Sequence, residues 1–258
     1  MPETDLDLLI EAAKDSAVIA QGFFQSDPKA WDKEGNAGPV TEADLAIDAM
    51  LIEKLRTARP SYGWLSEETE DETTRLSTER QFVVDPIDGT RAFIKGDPDW
   101  SHALAVIEDN TVIAAAVYVP ERDLMYAAAR GQGATLNGTN ISVTEHHDLE
   151  GADVLTAKPN LDPKYWNCEP PNLNRHMRSS LAYRLCLVAE GQFDAMLSLR
   201  PSWEWDIAAG ALIIQEAGGT ATDMTGGPLR FNNPHPQVNG VVAGGDIHSN
   251  LLGCLNRA

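Results

Sequence analysis

The sequence predicts a layered α+β fold, on three observations. Apolar residues recur at helical spacing over two segments, 4–24 and 41–58. Three apolar runs separated by tight polar turns then follow one another, the pattern of a strand meander. After a weak division near residues 145–150, helical and strand patterns mix again. No internal repeat, low-complexity segment or heptad run competes with this reading. Residues 1–148 and 149–258 are therefore expected as two halves of one compact unit, the first α+β and the second α/β.

Taken in order, residues 4–24 place Leu6, Leu9, Ile10, Ala13, Ala17, Val18 and Ile19 on one helical stripe behind a Thr4/Asp5 cap. A second helix is predicted over 41–58, with Leu45, Ile47, Met50, Leu51 and Leu55 as its stripe and Pro60 as its stop. The two helices are expected to pack together. Residues 62–66 and 81–85 read as short strands around the charged segment 67–79, and 102–108, 111–119 and 124–129 as the antiparallel meander. In the second half the spacing predicts a surface loop over 161–174, a helix over 174–190 ending at Gly191, and a strand over 193–199. A helix over 207–217, a buried strand over 238–243 and a last helix over 247–255 complete the chain.

Composition narrows the function. The 258 residues hold 39 Asp and Glu against 20 Lys and Arg, a net charge of −19. Affinity for a phosphate backbone comes from clustered basic residues, so nucleic-acid and membrane-surface binders are excluded. An acidic total does not bar a phosphorylated substrate, because bound divalent cations reverse the local sign. The cysteines, Cys168, Cys186 and Cys254, are odd in number and widely spaced, which supports neither a disulfide framework nor a thiolate zinc site. An acidic N-terminus and the lack of any run approaching about 18 apolar residues point to a soluble cytoplasmic protein. The six histidines show no HExxH spacing and there is no Cys-x₅-Arg loop, so a zinc hydrolase and a thiolate phosphatase are both disfavoured.

The most informative stretch is Phe82-Val83-Val84-Asp85-Pro86-Ile87-Asp88-Gly89-Thr90. An apolar strand runs into two carboxylates three residues apart, an arrangement able to hold a hard divalent cation through oxygen. Pro86 keeps Asp85 extended. The amides of Gly89 and Thr90, at the start of a helix, are placed to accept an anion. The alternative is a plain strand-to-helix turn, since all these residue types form turns. A second acidic pair, Glu67 and Glu68, also follows a strand, so adjacent strands would bring it to Asp85. Asp206 opens a helix rich in small residues and on its own reads equally as an N-cap. Asp44 lies in the second helix, where a solvent-facing carboxylate is the simple alternative.

Together these segments resemble the inositol monophosphatase superfamily of magnesium-dependent, lithium-sensitive phosphomonoesterases. The resemblance rests on PVTEAD at 39–44, LSEET at 65–69, VVDPIDGTRAF at 83–93 and EWDIAAGALIIQEAGG at 204–219, four motifs in family order. It implies an α-β-α-β-α sandwich of the inositol monophosphatase and fructose-1,6-bisphosphatase type. It also implies that Glu67, Asp85 and the Ile87 carbonyl hold one Mg²⁺, and Asp85, Asp88 and Asp206 a second. Glu67 would reach a third, weaker ion through water. Thr90, paired with Asp44, is implied to orient and deprotonate a metal-activated water for in-line attack on phosphorus. Glu68 supports the site, and Lys33 falls at a basic position of the active-site loop.

The substrate is expected to be a small phosphorylated metabolite. The run from Arg178 to Gly191 is similar to the GSSLKFCLVAEG pattern of bacterial 3′(2′),5′-bisphosphate nucleotidases, with Arg178 where that pattern begins with Gly. Leu199 stands seven positions before Asp206, where inositol-selective members carry an acid. Adenosine 3′,5′-bisphosphate is thus the first expectation, with inositol monophosphate, or a broad sugar and histidinol phosphate range, second. Ser180, Arg184 and Arg200 are candidate substrate contacts, with ordinary surface roles as the alternative for the arginines. A metal-dependent binding protein on the same scaffold would have lost Thr90, Asp44 or a carboxylate, and none is lost. A homodimer is compatible with the resemblance.

Overall fold

In the computed structural model, which describes residues 3–33, 38–167 and 169–256, both N-terminal helices form where the periodicity places them. Helix α1 (Asp5–Gln21) starts at Thr4, whose hydroxyl accepts from the Asp7 amide while the Asp7 carboxylate accepts from Thr4. Strands β1 (Ala30–Asp32) and β2 (Pro39–Thr41) pair antiparallel and lead directly into α2 (Glu42–Ala58). Thr41 caps α2 in the same reciprocal way, with Asp44 as the returning carboxylate. Asp44 is therefore a buried capping residue, not a solvent-facing one.

A seven-stranded sheet follows in sequence order: β3 (Gly63–Ser66), β4 (Arg80–Asp88), β5 (Ser101–Glu108), β6 (Thr111–Val119), β7 (Leu124–Ala129), β8 (Ala134–Leu136) and β9 (Thr139–Asn140). Only β3 and β4 run parallel; the remaining pairs are antiparallel. A single turn of helix, α3 (Thr90–Ile94), links β4 to β5. Helices α1 and α2 cover one face, where Leu9, Ile47, Leu51 and Leu55 meet Phe82, Val84 and Leu104.

The second half builds five strands, β10 (Asp153–Thr156), β11 (Asn174–His176), β12 (Ala195–Ser198), β14 (Thr220–Thr222) and β16 (Val241–Gly244), in the order β11-β10-β12-β16-β14. A short ribbon of β13 (Ser202–Trp203) and β15 (Gln237–Val238) stands apart. Helices α4 (Leu181–Ala189) and α5 (Glu204–Glu216) lie between the two sheets, and α6 (His248–Cys254) packs on the outer face of the second. The layers read α-β-α-β-α, as the resemblance implies.

The middle layer explains an oddity of composition. Residues Ile207 to Ile214 of α5 are all buried, since both faces of the helix meet a sheet or a helix. Each buried Ile or Leu there contributes about 1.5–3 kcal/mol. Gly210 permits the closest approach: a Cβ at that position would lie 2.5 Å from Leu185 Cβ on α4.

Three boundaries differ from expectation. The helix predicted over 174–190 is only Leu181–Ala189, because Asn174–His176 pairs parallel with β10 and Ser180 caps the helix after it. Helix α5 begins at Glu204 with Trp203 as its N-cap, so Asp206 sits inside the first turn and is not the cap. The strand predicted over 238–243 is broken at Gly240, which takes φ +71° and where a Cβ would lie 2.6 Å from the Ser198 carbonyl. Cys186 is a buried free thiol, and Cys168 lies outside the described residues. No helix among the described residues is long and apolar enough to cross a membrane.

Candidate active site

The parallel pair β3 and β4 sets the site. Ser66 pairs with Val84, and Glu67, one residue past the end of β3, still donates its amide to the Val84 carbonyl at 3.2 Å. This brings Glu67 beside Asp85 on the neighbouring strand. Asp206 arrives on α5. One carboxylate oxygen from each of Glu67, Asp85 and Asp206 lies within 4.8 Å of the other two. Such a cluster carries its own electrostatic cost, because like charges meet out of water.

Burial, and then the carboxylates of Glu67, Asp88 and Asp206, hold the Asp85 carboxyl well above the usual carboxylate range. Burial followed by Asp88 and Glu67 does the same to Asp206, with Arg200 and Arg184 opposing. Asp85 Oδ1 is buried and accepts no hydrogen bond. A buried acceptor without a donor, in a pocket of repelling oxygens, fits a hard divalent cation, and an all-oxygen donor set favours the Mg²⁺ class.

Asp88 is organised differently. The chain bulges between Asp85 and Asp88 where the pairing with β5 shifts register. His102 Nδ1 lies 2.5 Å from the Pro86 carbonyl inside this bulge, so that nitrogen carries the proton. Asp88 Oδ2 accepts from Ser180 Oγ at 2.7 Å and from the Ala182 amide at 2.6 Å. Burial still pushes the Asp88 carboxyl up to about 6, although both bonds oppose it. Asp88 thus faces the start of α4 with one oxygen and lines the cleft, but the three-acid group of Glu67, Asp85 and Asp206 does not include it.

Gly89 follows with φ +98°, and a Cβ there would meet the Asp99 carbonyl and the Ser180 amide at 3.2 and 3.3 Å. Both the turn and the close approach of α4 require glycine. Thr90 Oγ1 lies 3.1 Å from the Ile87 carbonyl and 3.5 Å from Asp44 Oδ1. Burial pushes the Asp44 carboxyl up to about 6, against the two bonds it accepts from Thr41.

Lys33 closes the acidic side, with Nζ 2.7 Å from Glu67 Oε1 and 2.8 Å from Glu68 Oε1. Burial lowers its pKa, and the two carboxylates together outweigh that and raise it. Burial and the Glu67 charge push Glu68 up to about 7, with Lys33 opposing.

Glu67, Asp85, Asp88, Gly89, Thr90 and Asp206 border a cleft of about 320 Å³ that Arg184 and Arg200 also line, whereas Lys33, Asp44 and Glu68 do not line it. Ser180 does not reach it: its side chain is fully buried, bonded to Asp88 and Ser101 and capping α4. The expectation that Ser180 touches substrate is replaced by a role in holding Asp88. Arg91 and Met177 line the cleft as well. Arg91 was legible as the neighbour of Thr90, whereas nothing in the sequence pattern marks Met177.

The profile of the inositol monophosphatase family matches residues 1–257. The chain belongs to the inositol monophosphatase family. Among its relatives, inositol monophosphatase 2 of Solanum lycopersicum is 33% identical over 237 residues, 87% of this chain and 89% of the relative. The Nus factor SuhB of Escherichia coli K12 is 34% identical over 236 residues, 86% of each chain. The IMPase structure of Thermotoga maritima superposes with a TM-score of 0.82 at 26% identity, covering 96% of this chain and 94% of that one. Inositol monophosphatase family members are Mg²⁺-dependent phosphatases, and the acidic cluster of this member is built to suit such an ion.

Proposed function

We propose that this inositol monophosphatase family member is a phosphomonoesterase acting on a small metabolite with a second phosphate, converting adenosine 3′,5′-bisphosphate to AMP and phosphate. One observation carries the substrate choice. Arg184 is buried at the cleft, its Nε donating to the Arg178 carbonyl at 2.6 Å and its Nη2 to the Ser179 carbonyl at 3.0 Å. Its Nη1 has no protein partner among the described residues, so a fixed guanidinium presents a free donor where substrate enters. A planar guanidinium suits an anionic oxygen. Leu199, seven residues before Asp206, is buried and has no acceptor for a ring hydroxyl.

Glu67, Asp85 and the Ile87 carbonyl would hold one Mg²⁺ and Asp85, Asp88 and Asp206 a second, with Glu67 reaching a third through water and Glu68 supporting the site. When bound, Mg²⁺ neutralises phosphate oxygens and acidifies a coordinated water. The Thr90 hydroxyl orients the attacking water, and Asp44 behind it takes the proton that Thr90 passes on. The amides of Gly89 and Thr90 point the phosphate in line with that water. We read the compartment as the reducing cytoplasm, on three cysteines too few and too widely spaced for a disulfide framework.

A second reading, an inositol-1-monophosphatase, is favoured by the names of the tomato and Thermotoga relatives. Phosphate release with Mg²⁺ from adenosine 3′,5′-bisphosphate, inositol 1-phosphate and histidinol phosphate, run side by side, separates the two. The bisphosphate is expected to give the highest kcat/KM; a higher value for inositol 1-phosphate overturns the substrate choice. A non-catalytic binding role predicts no release from any of them.

A further inference from the structure

One buried acid has no part in the chemistry above. Asp48 lies one turn after Asp44 on α2, 6% exposed, yet it faces neither the cleft nor a basic residue. Its Oδ1 accepts from Ser66 Oγ and its Oδ2 from Thr69 Oγ1, each at 2.6 Å. These lengths are those of charge-assisted bonds to a carboxylate. Both donors flank the site acids: Ser66, the last residue of β3, immediately precedes Glu67, and Thr69 immediately follows Glu68.

The two hydroxyls are tied in further. Ser66 Oγ accepts from the Glu68 amide at 3.3 Å, and Thr69 Oγ1 accepts from Trp64 Nε1 at 3.4 Å. We propose that Asp48 is a positioning residue of the cation site, holding the Ser66–Thr69 loop against α2 so that Glu67 stays within reach of Asp85 and Asp206. The inference rests on the assignment of Glu67 as a cation ligand.

The physical need is specific. Glu67 stands past the end of β3, where one backbone bond to Val84 is its link to β4. Its carboxylate, ion-paired to Lys33, has an oxygen within 4.8 Å of those of Asp85 and Asp206, and carboxylates so close push against one another. A loop held at both flanks by one buried carboxylate resists that push. The preceding turn of the same helix carries Asp44, so α2 fixes both the acid behind Thr90 and the loop of Glu67 to one rigid element. The Asp44 and Asp48 spacing of four residues is the sequence signal, since it places both on one helical face.

Asn at position 48 keeps the volume but offers one acceptor where two hydroxyls donate. The test is calorimetric titration of Mg²⁺ into the metal-stripped full chain. Disturbing a group that orients a metal ligand typically costs about 10- to 100-fold in metal affinity, and Asp48→Asn is expected to raise the Mg²⁺ Kd by about tenfold. Saturating Mg²⁺ is expected to restore kcat. In a Ser66→Ala/Thr69→Val background, Asp48→Asn is expected to add no further loss, because its route to the site is already cut.

An unchanged Kd in Asp48→Asn overturns the proposal, as does an equal further loss in the double-variant background, which marks a general structural role. Should Asp48→Asn not fold, Ser66→Ala and Thr69→Val alone are each expected to weaken Mg²⁺ binding, and unchanged affinity in both overturns it. If the unsubstituted chain itself binds no Mg²⁺, the ligand assignment falls first and the inference with it.

Discussion

Thr90 and Asp44 meet at 3.5 Å, one from the turn after β4 and the other from the first turn of α2, with the Ile87 carbonyl 3.1 Å from the same hydroxyl. The hydroxyl sits between an acid and a backbone oxygen beside the carboxylate cluster. On the proposed mechanism, removing it takes away a proton route without removing a charge. Thr90→Ala is expected to lower kcat by about 10²- to 10⁴-fold, the usual span for general acid-base catalysis. Mg²⁺ affinity, read by calorimetry, is expected to hold. Weakened metal binding with near-normal kcat at saturating Mg²⁺ would assign Thr90 to structure instead.

Asp85 predicts opposite effects on stability and function. Its buried, unpaired Oδ1 and the acids around it make the metal-free cluster repulsive. Asp85→Asn is expected to raise the Tm of the metal-free protein by a few degrees; in a domain of this size about 2–4 °C corresponds to 1 kcal/mol. Mg²⁺ is expected to stabilise the unsubstituted protein and not the variant. Melts with and without Mg²⁺ read both effects, and equal stabilisation of the two proteins would remove Asp85 from the ligand set. Asp206→Asn and Asp88→Asn are each expected to abolish most activity.

Arg184 is expected to decide between substrates. Losing one hydrogen bond to a charged group costs about 1.5–3 kcal/mol, or about 10- to 100-fold. Arg184→Met is expected to raise KM for adenosine 3′,5′-bisphosphate by that factor while leaving kcat/KM for adenosine 3′-monophosphate nearly unchanged. Equal losses on both substrates would mean that Arg184 shapes the cleft without reading a second phosphate.

His102 gives the fold a pH dependence of definite sign. It is fully buried, and burial pushes its pKa down to about 4 against the Pro86 carbonyl, which opposes. Unfolded, the ring protonates near 6.5, so below that pH the unfolded chain binds the extra proton. The stability that His102 contributes is complete above pH 6.5 and is lost as pH falls toward 4, by about 3 kcal/mol in all. The raised carboxyls of Asp44 and Glu68 act in the opposite direction, favouring the folded state as they protonate. Urea unfolding of His102→Gln against the parent chain cancels them. The parent should lose stability relative to the variant between pH 6.5 and 4.5; parallel curves would show that the ring is not held neutral.

Local chemistry was legible in the chain itself. The helices α1 and α2, the meander of β5 to β7 and the turn at Asp85-Pro86-Ile87-Asp88 follow from spacing and residue type, because each depends on neighbours within a few residues, although Val18 and Leu45, read as part of the buried stripes, are exposed. The parallel placement of Glu67 beside Asp85 also followed from two strands ending in acids. The helix predicted over 174–190 shows the limit: helical patterning continues through Asn174–His176, but pairing with β10 makes that segment a strand.

What the sequence alone determined is therefore the inventory: the α+β class, the acids, the threonine and the strand-to-helix turns that present them. The tertiary structure decided how each is used. Ser180 became the partner of Asp88, Asp48 the anchor of the Glu67 loop, and Asp206 a ligand candidate inside a helix turn and not a cap. The physical reason is range. A hydrogen bond between residues far apart in the chain exists only after two layers have packed, and periodicity carries no record of which buried carboxylate will then face which hydroxyl.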